Sequence, residues 1–229
     1  VTGRPFQPEL LRLYRERADA TLDDLCAAAE SVGVVVAGRI ADIGIAEEAI
    51  LERAQRADLM VMGRRGEHAG FGRQVVGATL WRVLHHSPCP VLVGASHLDT
   101  ATATPSRKAA PRLPLVAWDC SPGGRAALDL ALLYATAVET KLCIVHAGDE
   151  SCDAHLEEAH AAAAEAGVDW ESVRLDLSAA AAVSEATARW DPDCLFMGAF
   201  GRGRLRDFLF GSHTAEILEA FEGPVFVTS

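Results

Sequence analysis

The chain has 229 residues, half of them hydrophobic and 23% charged, enough to bury a core as one large domain or two small ones. A formal net charge of −11 makes it a poor general binder of nucleic acid, and no apolar run reaches the ~18 residues of a membrane span. Six cysteines (Cys26, Cys89, Cys120, Cys143, Cys152, Cys194) show neither C-x-x-C nor metal-ligand spacing and sit mostly in apolar runs, which reads as buried free thiols in a reducing cytoplasm.

Residues 9–31 carry the longest helical pattern. Leu10, Leu13, Tyr14, Ala18, Thr21, Leu22, Leu25 and Cys26 recur at spacings of three and four, and Gly33 stands where a left-handed C-terminal residue is expected. Residues 34–40 read as a strand, 42–44 as a turn and 45–56 as a helix with Glu47 and Glu48 in its first turn. A strand over 57–63, apolar from Leu59 to Met62, leads into a glycine-bearing loop, 64–76. A helix over 77–86 is stopped by Pro88-Cys89-Pro90, and a strand follows at 91–94.

Residues 95–113 are rich in Ala, Thr, Ser and Pro and lack apolar periodicity; they read as a linker. Beyond it come a strand at 115–118 ending at Asp119, a Ser121-Pro122-Gly123-Gly124 turn and a helix over 125–140. Then follow a strand at 142–146, a helix at 151–166, a strand at 170–177, a helix at 180–190, a strand at 193–197, a glycine-rich loop, a helix and a closing strand at 223–227. Apolar strands alternating with helices predict a parallel sheet covered on both faces.

The glycine-rich loop is the most informative stretch. Gly198 and Gly201 allow main-chain N–H groups to approach an anion, and Gly211-Ser212 opens a helix with its free donors and positive dipole end. Arg202, Arg204 and Arg206 between them can neutralise a polyphosphate. There is no G-x4-G-K-[S/T] and no nucleophile elbow. His85-His86 reads as a helix C-terminal cap, and His155 and His160, five apart, do not share a helix face well enough for a metal. His146 reads as core or pocket lining.

The chain also repeats itself. Residues 57–63 match 192–198, Gly63 and Gly66 stand 135 positions before Gly198 and Gly201, and Gly77 and Pro90 stand 134 before Gly211 and Pro224. Two copies of one α/β unit are expected: residues 1–94, a linker at 95–113, and residues 114–229.

Strand–G-x2-G-x9-G-[S/T]–helix, with a proline turn into an apolar strand, resembles the nucleotide-binding branch of the universal stress protein family. Trp118-Asp119-Cys120-Ser121 and Val145-His146-Ala147 fit the ends of its first two strands. The resemblance implies tandem Rossmann-like, adenine-nucleotide α-hydrolase-like units with parallel five-stranded sheets, paired through their last strands, and a homodimer through edge strands. It implies ATP, with or without magnesium, held by Asp119 and Ser121 near ribose and phosphates and by Ala147 at the adenine. Met197 and Gly198 would border the nucleotide, and Gly201, Arg202, Gly211, Ser212 and His213 would hold the phosphates. No catalytic residue and no metal ligand is assigned.

The first half departs from this pattern. Gly63, Gly66 and Gly77 outline at most a weak site: its loop has ten residues between Gly66 and Gly77, Ala78 replaces the hydroxyl, and Glu67 stands where the second half has Arg202. No strand ending in Asp precedes the first helix, so that unit is expected to lack its first strand, helix and second strand, supplied elsewhere in the native protein or by a neighbour. Three functions follow: a cytoplasmic, nucleotide-responsive stress protein; a weak ATP hydrolase or nucleotidyl-transferring enzyme; and a dimeric scaffold without nucleotide.

Overall fold

The computed structural model describes residues 8–64, 77–95, 113–149, 153–199 and 212–229. The chain divides into two compact units, Val1–Ala49 and Ile50–Ser229. The first contains helix α1 (Pro8–Ser31), which ends at Gly33 with φ +85°. Residues 34–40, expected as a strand, form no ladder, and Val34, Val35 and Ile40 are exposed. An isolated strand leaves its N–H and C=O groups unpaired, so an apolar, β-prone run without a neighbouring strand does not become one. Helix α2 (Ala46–Ala54) follows.

The second unit contains β1 (Met60–Met62), α3 (Ala78–His86), β2 (Val91–Val93), β3 (Pro114–Trp118), α4 (Pro122–Ala137) and β4 (Leu142–Ala147). It continues with α5 (Asp153–Glu165), β5 (Trp170–Leu175), α6 (Ala179–Trp190), β6 (Cys194–Gly198), α7 (Ser212–Ala220) and β7 (Val225–Thr228). The helix expected over 125–140 begins three residues earlier. Ser121 caps it by accepting from the Gly124 N–H, and Pro122, lacking an N–H, fits the first turn.

The strands form one sheet in the order β1-β2-β7-β6-β3-β4-β5. β3, β4, β5, β6 and β7 pair in parallel, as do β1 and β2. The two sets join through an antiparallel pair, Val91 with Val227, Leu92 with Phe226 and Val93 with Val225. The last strands of the two halves thus meet inside one chain. The repeat is also a repeat of register: Val61 lies opposite Leu92 as Phe196 lies opposite Phe226.

Apolar residues fill both sheet faces. On one, α3, α6 and α7 contribute Leu80, Leu84, Val183 and Leu218 against Leu115, Val145, Leu195 and Val225. On the other, α4 and α5 lay Ala127, Ala131, Leu128 and Ala159 over Val116, Ile144 and Phe196, their alanines permitting close approach. No described helix is long and apolar enough to cross a membrane.

Cys143 is fully buried in β4, and burial pushes its thiol up to about 11, so it stays protonated at neutral pH. The expected outcome of thiol labelling with a disulfide reagent at neutral pH is that Cys143 and the equally enclosed Cys194 stay unmodified until urea unfolds the protein, while half-buried Cys26 reacts. Prompt labelling of Cys143 in the native state would contradict this packing.

Candidate functional site

β3 and β6 are neighbours, yet their chains leave the sheet's carboxyl edge towards opposite faces, β3 into α4 and β6 towards α7. Such a reversal opens a crevice at the strand ends of an α/β sheet. Asp119 leaves β3 there, Ala147 ends β4, and Met197 and Gly198 end β6.

The backbone is drawn together at this edge by missing side chains. A Cβ on Gly198 would overlap the Gly124 N–H and stand 2.7 Å from the Gly123 carbonyl carbon; a Cβ on Gly124 would run into Asp119 Oδ1. The end of β6 and the N-terminus of α4 therefore lie backbone against backbone. Thr228 fastens the same place: its Oγ1–H donates to the Gly123 carbonyl at 2.6 Å, and its carbonyl accepts from the Ala199 N–H at 2.5 Å.

Asp119 Oδ1 accepts from the Ser121 N–H (3.0 Å) and Oγ–H (2.7 Å), while Ser121 Oγ accepts from the Gly124 N–H (2.9 Å). The Ser121 hydroxyl is thus engaged in holding the Asp119 carboxylate against the helix start, a placement that the dipole favours. Oδ2 has no partner among the described residues. Cys120, between them, takes φ +57°, the left-handed value that turns the chain sharply from strand to helix.

His146 is 4% exposed and belongs to the core. Its Nδ1 lies 2.7 Å from the Trp118 carbonyl, which only accepts, so Nδ1 carries the proton. Trp118 Nε1–H in turn donates to the His155 carbonyl at 2.7 Å, tying β3 to α5 behind the crevice. Among the described residues, no group of three or more His, Cys, Asp or Glu side chains is placed to hold a metal ion.

Of the residues expected at the site, Asp119, Ser121, Ala147, Met197 and Gly198 come to one edge, and Ser212 and His213 open α7. Gly201, Arg202 and Gly211 lie outside the described residues, as does Gly66. In the first half, Gly63 follows β1 and Gly77 precedes α3, but the Gly77 N–H is taken by the Arg64 carbonyl at 2.9 Å.

Arg64, which is 5% exposed, was not among the residues expected from the sequence. Its guanidinium donates to three carbonyls: Gly94 (2.7 Å), Gly223 (2.5 Å) and Leu218 in the last turn of α7. Burial lowers its pKa, with Glu222 acting in the opposite sense. Nothing in a basic residue beside a glycine announces such a role. Nor does a threonine next to the C-terminal residue announce that it fastens α4 to β6.

The universal stress protein family model matches residues 4–94 and 146–229. The universal stress protein Slr1230 of Synechocystis is 30% identical over 176 residues, covering 73% of this chain; the chain spans 56% of that protein's length. A universal stress protein structure from Archaeoglobus fulgidus superposes with a TM-score of 0.76 at 21% identity, over 97% of this chain and 80% of its own. A Pseudomonas aeruginosa protein of unknown function superposes at 0.63 and 19% identity, over 98% and 89%. The folds agree, and the family pattern is met twice along the sequence: the chain belongs to the universal stress protein family.

Proposed function

We propose that this chain binds an adenine nucleotide, ATP with or without magnesium, at the carboxyl edge of β3, β4 and β6, and serves as a nucleotide-responsive stress protein of the cytoplasm. The proposed domains are residues 1–94 and 114–229, with ligand in the second. The observation that carries the reading is the close approach of Gly198 to Gly123–Gly124 at the strand reversal, beside Asp119. It seats the end of β6 directly on the N-terminus of α4, at the edge that the Gly201–Ser212 motif would complete with phosphate-binding N–H groups. Asp119 Oδ2 would serve ribose or a magnesium ion that keeps most of its other ligands as phosphate and water. The first half supports ligand less well, because the Gly77 N–H is already bonded and Glu67 would repel a phosphate.

In this reading Asp119 contacts ribose or metal rather than acting as a general base for attack on a γ-phosphate. Both last strands are occupied within the chain, so a homodimer through a sheet edge would fall to β5 or β1.

Calorimetric titration with magnesium and ATP tests the reading. The native chain is expected to bind, and Gly201→Val and Gly211→Ala each to lose about tenfold or more in affinity with helix content almost unchanged, since an added Cβ obstructs the backbone approach. Unaltered affinity in both variants would refute the cradle. Turnover of ATP that disappears in Asp119→Ala would move the protein to the hydrolase reading.

A further inference from the structure

Repeat symmetry pairs Arg64 with Ala199. Each follows the glycine at the end of its strand, Gly63 after β1 and Gly198 in β6, at the offset of 135. The two positions are used differently. Ala199 has no side-chain donor, and its N–H bonds to the Thr228 carbonyl within its own half. Arg64 instead sends its guanidinium out of the first half, onto the Leu218 carbonyl in the last turn of α7 and the Gly223 carbonyl before β7. The matching end of α3 is closed by hydroxyls: Ser229 Oγ–H donates to the Ser87 carbonyl at 2.9 Å, and Ser87 Oγ–H to the Cys89 carbonyl at 2.6 Å. The cationic brace therefore runs one way, from the first half to the second.

The brace falls where a helix needs one. The last carbonyls of a helix have no partner inside it, and they form the negative end of its dipole, where a cation is favoured. Buried Thr214, Ile217 and Leu218 seat α7 on the sheet, and Arg64 adds a hold on its last turn. α7 has only nine residues, Ser212–Ala220. From Leu218 back to Ser212 is about 9 Å along the axis, so a tilt of about 5° at the braced end carries the opening N–H groups by roughly 1 Å. A shift of that size spoils hydrogen bonds to an anion.

We propose that Arg64 is a positioning residue for phosphate binding in the other half of the chain. By holding the last turn of α7 it aims the opening turn, so that the N–H groups there meet a nucleotide's phosphates. The first half thus serves the second half's ligand through the residue that follows Gly63, and the second half, with Ala199 at that position, returns no such contact. This role rests on the nucleotide reading of the second half, and the dependence it creates is on phosphate rather than on the base.

Four proteins decide it: the native chain, Arg64→Met, Arg64→Lys and Leu142→Ala. Leu142 is fully buried at the amino end of β4, on the sheet face away from α7, so its truncation destabilises the fold without touching the brace. Calorimetry with ATP, and competition by adenosine for the same site, give two affinities for each protein. Arg64→Met should weaken ATP about tenfold and adenosine less than about twofold, because adenosine has no phosphate to meet α7. Arg64→Lys should recover part of the loss, and Leu142→Ala should bind both as the native chain does. Hydrogen exchange without nucleotide is the second readout. In Arg64→Met the amides of α7 should gain about tenfold or more in rate over those of α4, and in Leu142→Ala they should not. Native ATP affinity in Arg64→Met, an equal loss for ATP and adenosine, or the same loss in Leu142→Ala would overturn the proposal. A native chain that binds no nucleotide would end the nucleotide reading instead. Exchange then decides the brace alone, and equal acceleration of α4 and α7 in Arg64→Met would overturn it.

Discussion

Gly198→Val should be the most damaging single substitution at the carboxyl edge. The new side chain would meet main-chain atoms of Gly123 and Gly124 rather than the yielding end of a flexible side chain. Relief requires the α4 N-terminus to lift away from β6, and lifting it breaks the bond from Thr228 Oγ1 to the Gly123 carbonyl and shifts the Ser121 cap. Overpacking of this kind costs about 3 kcal/mol. A fall of that size in urea stability, together with loss of ATP binding, is the expected result. Gly38→Ala is the control, because nothing lies within 4 Å of a Cβ built there. Its stability should stay within about 0.5 kcal/mol of the native value. Equal behaviour of the two variants would mean that β6 and α4 are not in backbone contact.

Arg64→Met should rank beside it for a different reason. The methionine keeps much of the packing but donates to none of the Gly94, Leu218 and Gly223 carbonyls. Carbonyls left without donors in a buried place each cost about 1–3 kcal/mol, so a total loss of about 3 kcal/mol or more is expected once water has reached some of them. Arg64→Lys should fall between, since an ammonium has three donors but not the flat fork that reaches three separate carbonyls. Urea titration of the three proteins checks the order. A methionine variant within about 0.5 kcal/mol of the native chain would show that these bonds are not made in solution. The consequence for function is positional: α7 opens at Ser212, where phosphate is proposed, and Arg64 fixes its other end at Leu218.

The contrast between Gly198 and Arg64 explains what could be read from the sequence. The strands around residues 60, 116, 144 and 195 were legible because each is an apolar run between turn residues, and strands buried on both faces need little else. The duplication was legible from glycines and prolines at constant offset. The run at 34–40 looked equally like a strand, yet β structure depends on a partner, and the pattern of one segment does not show whether its neighbour is there. Asp119 and Gly198 were legible as the ends of particular strands. Their closeness to Gly123, Gly124 and Thr228 was not, since it depends on how strands far apart in sequence are ordered in the sheet. Arg64 was illegible outright: its three carbonyl partners, Gly94, Leu218 and Gly223, lie 30 to 159 residues away in sequence.

The most direct measurement is a crystal structure of the full chain grown with saturating ATP and magnesium. Density for the triphosphate is expected against main-chain N–H groups between Gly198 and Ser212, with Asp119 at the ribose or the metal and Ala147 at the adenine. A nucleotide bound elsewhere on the chain, or a crevice between β3 and β6 filled by the protein's own side chains despite abundant ATP, would contradict it.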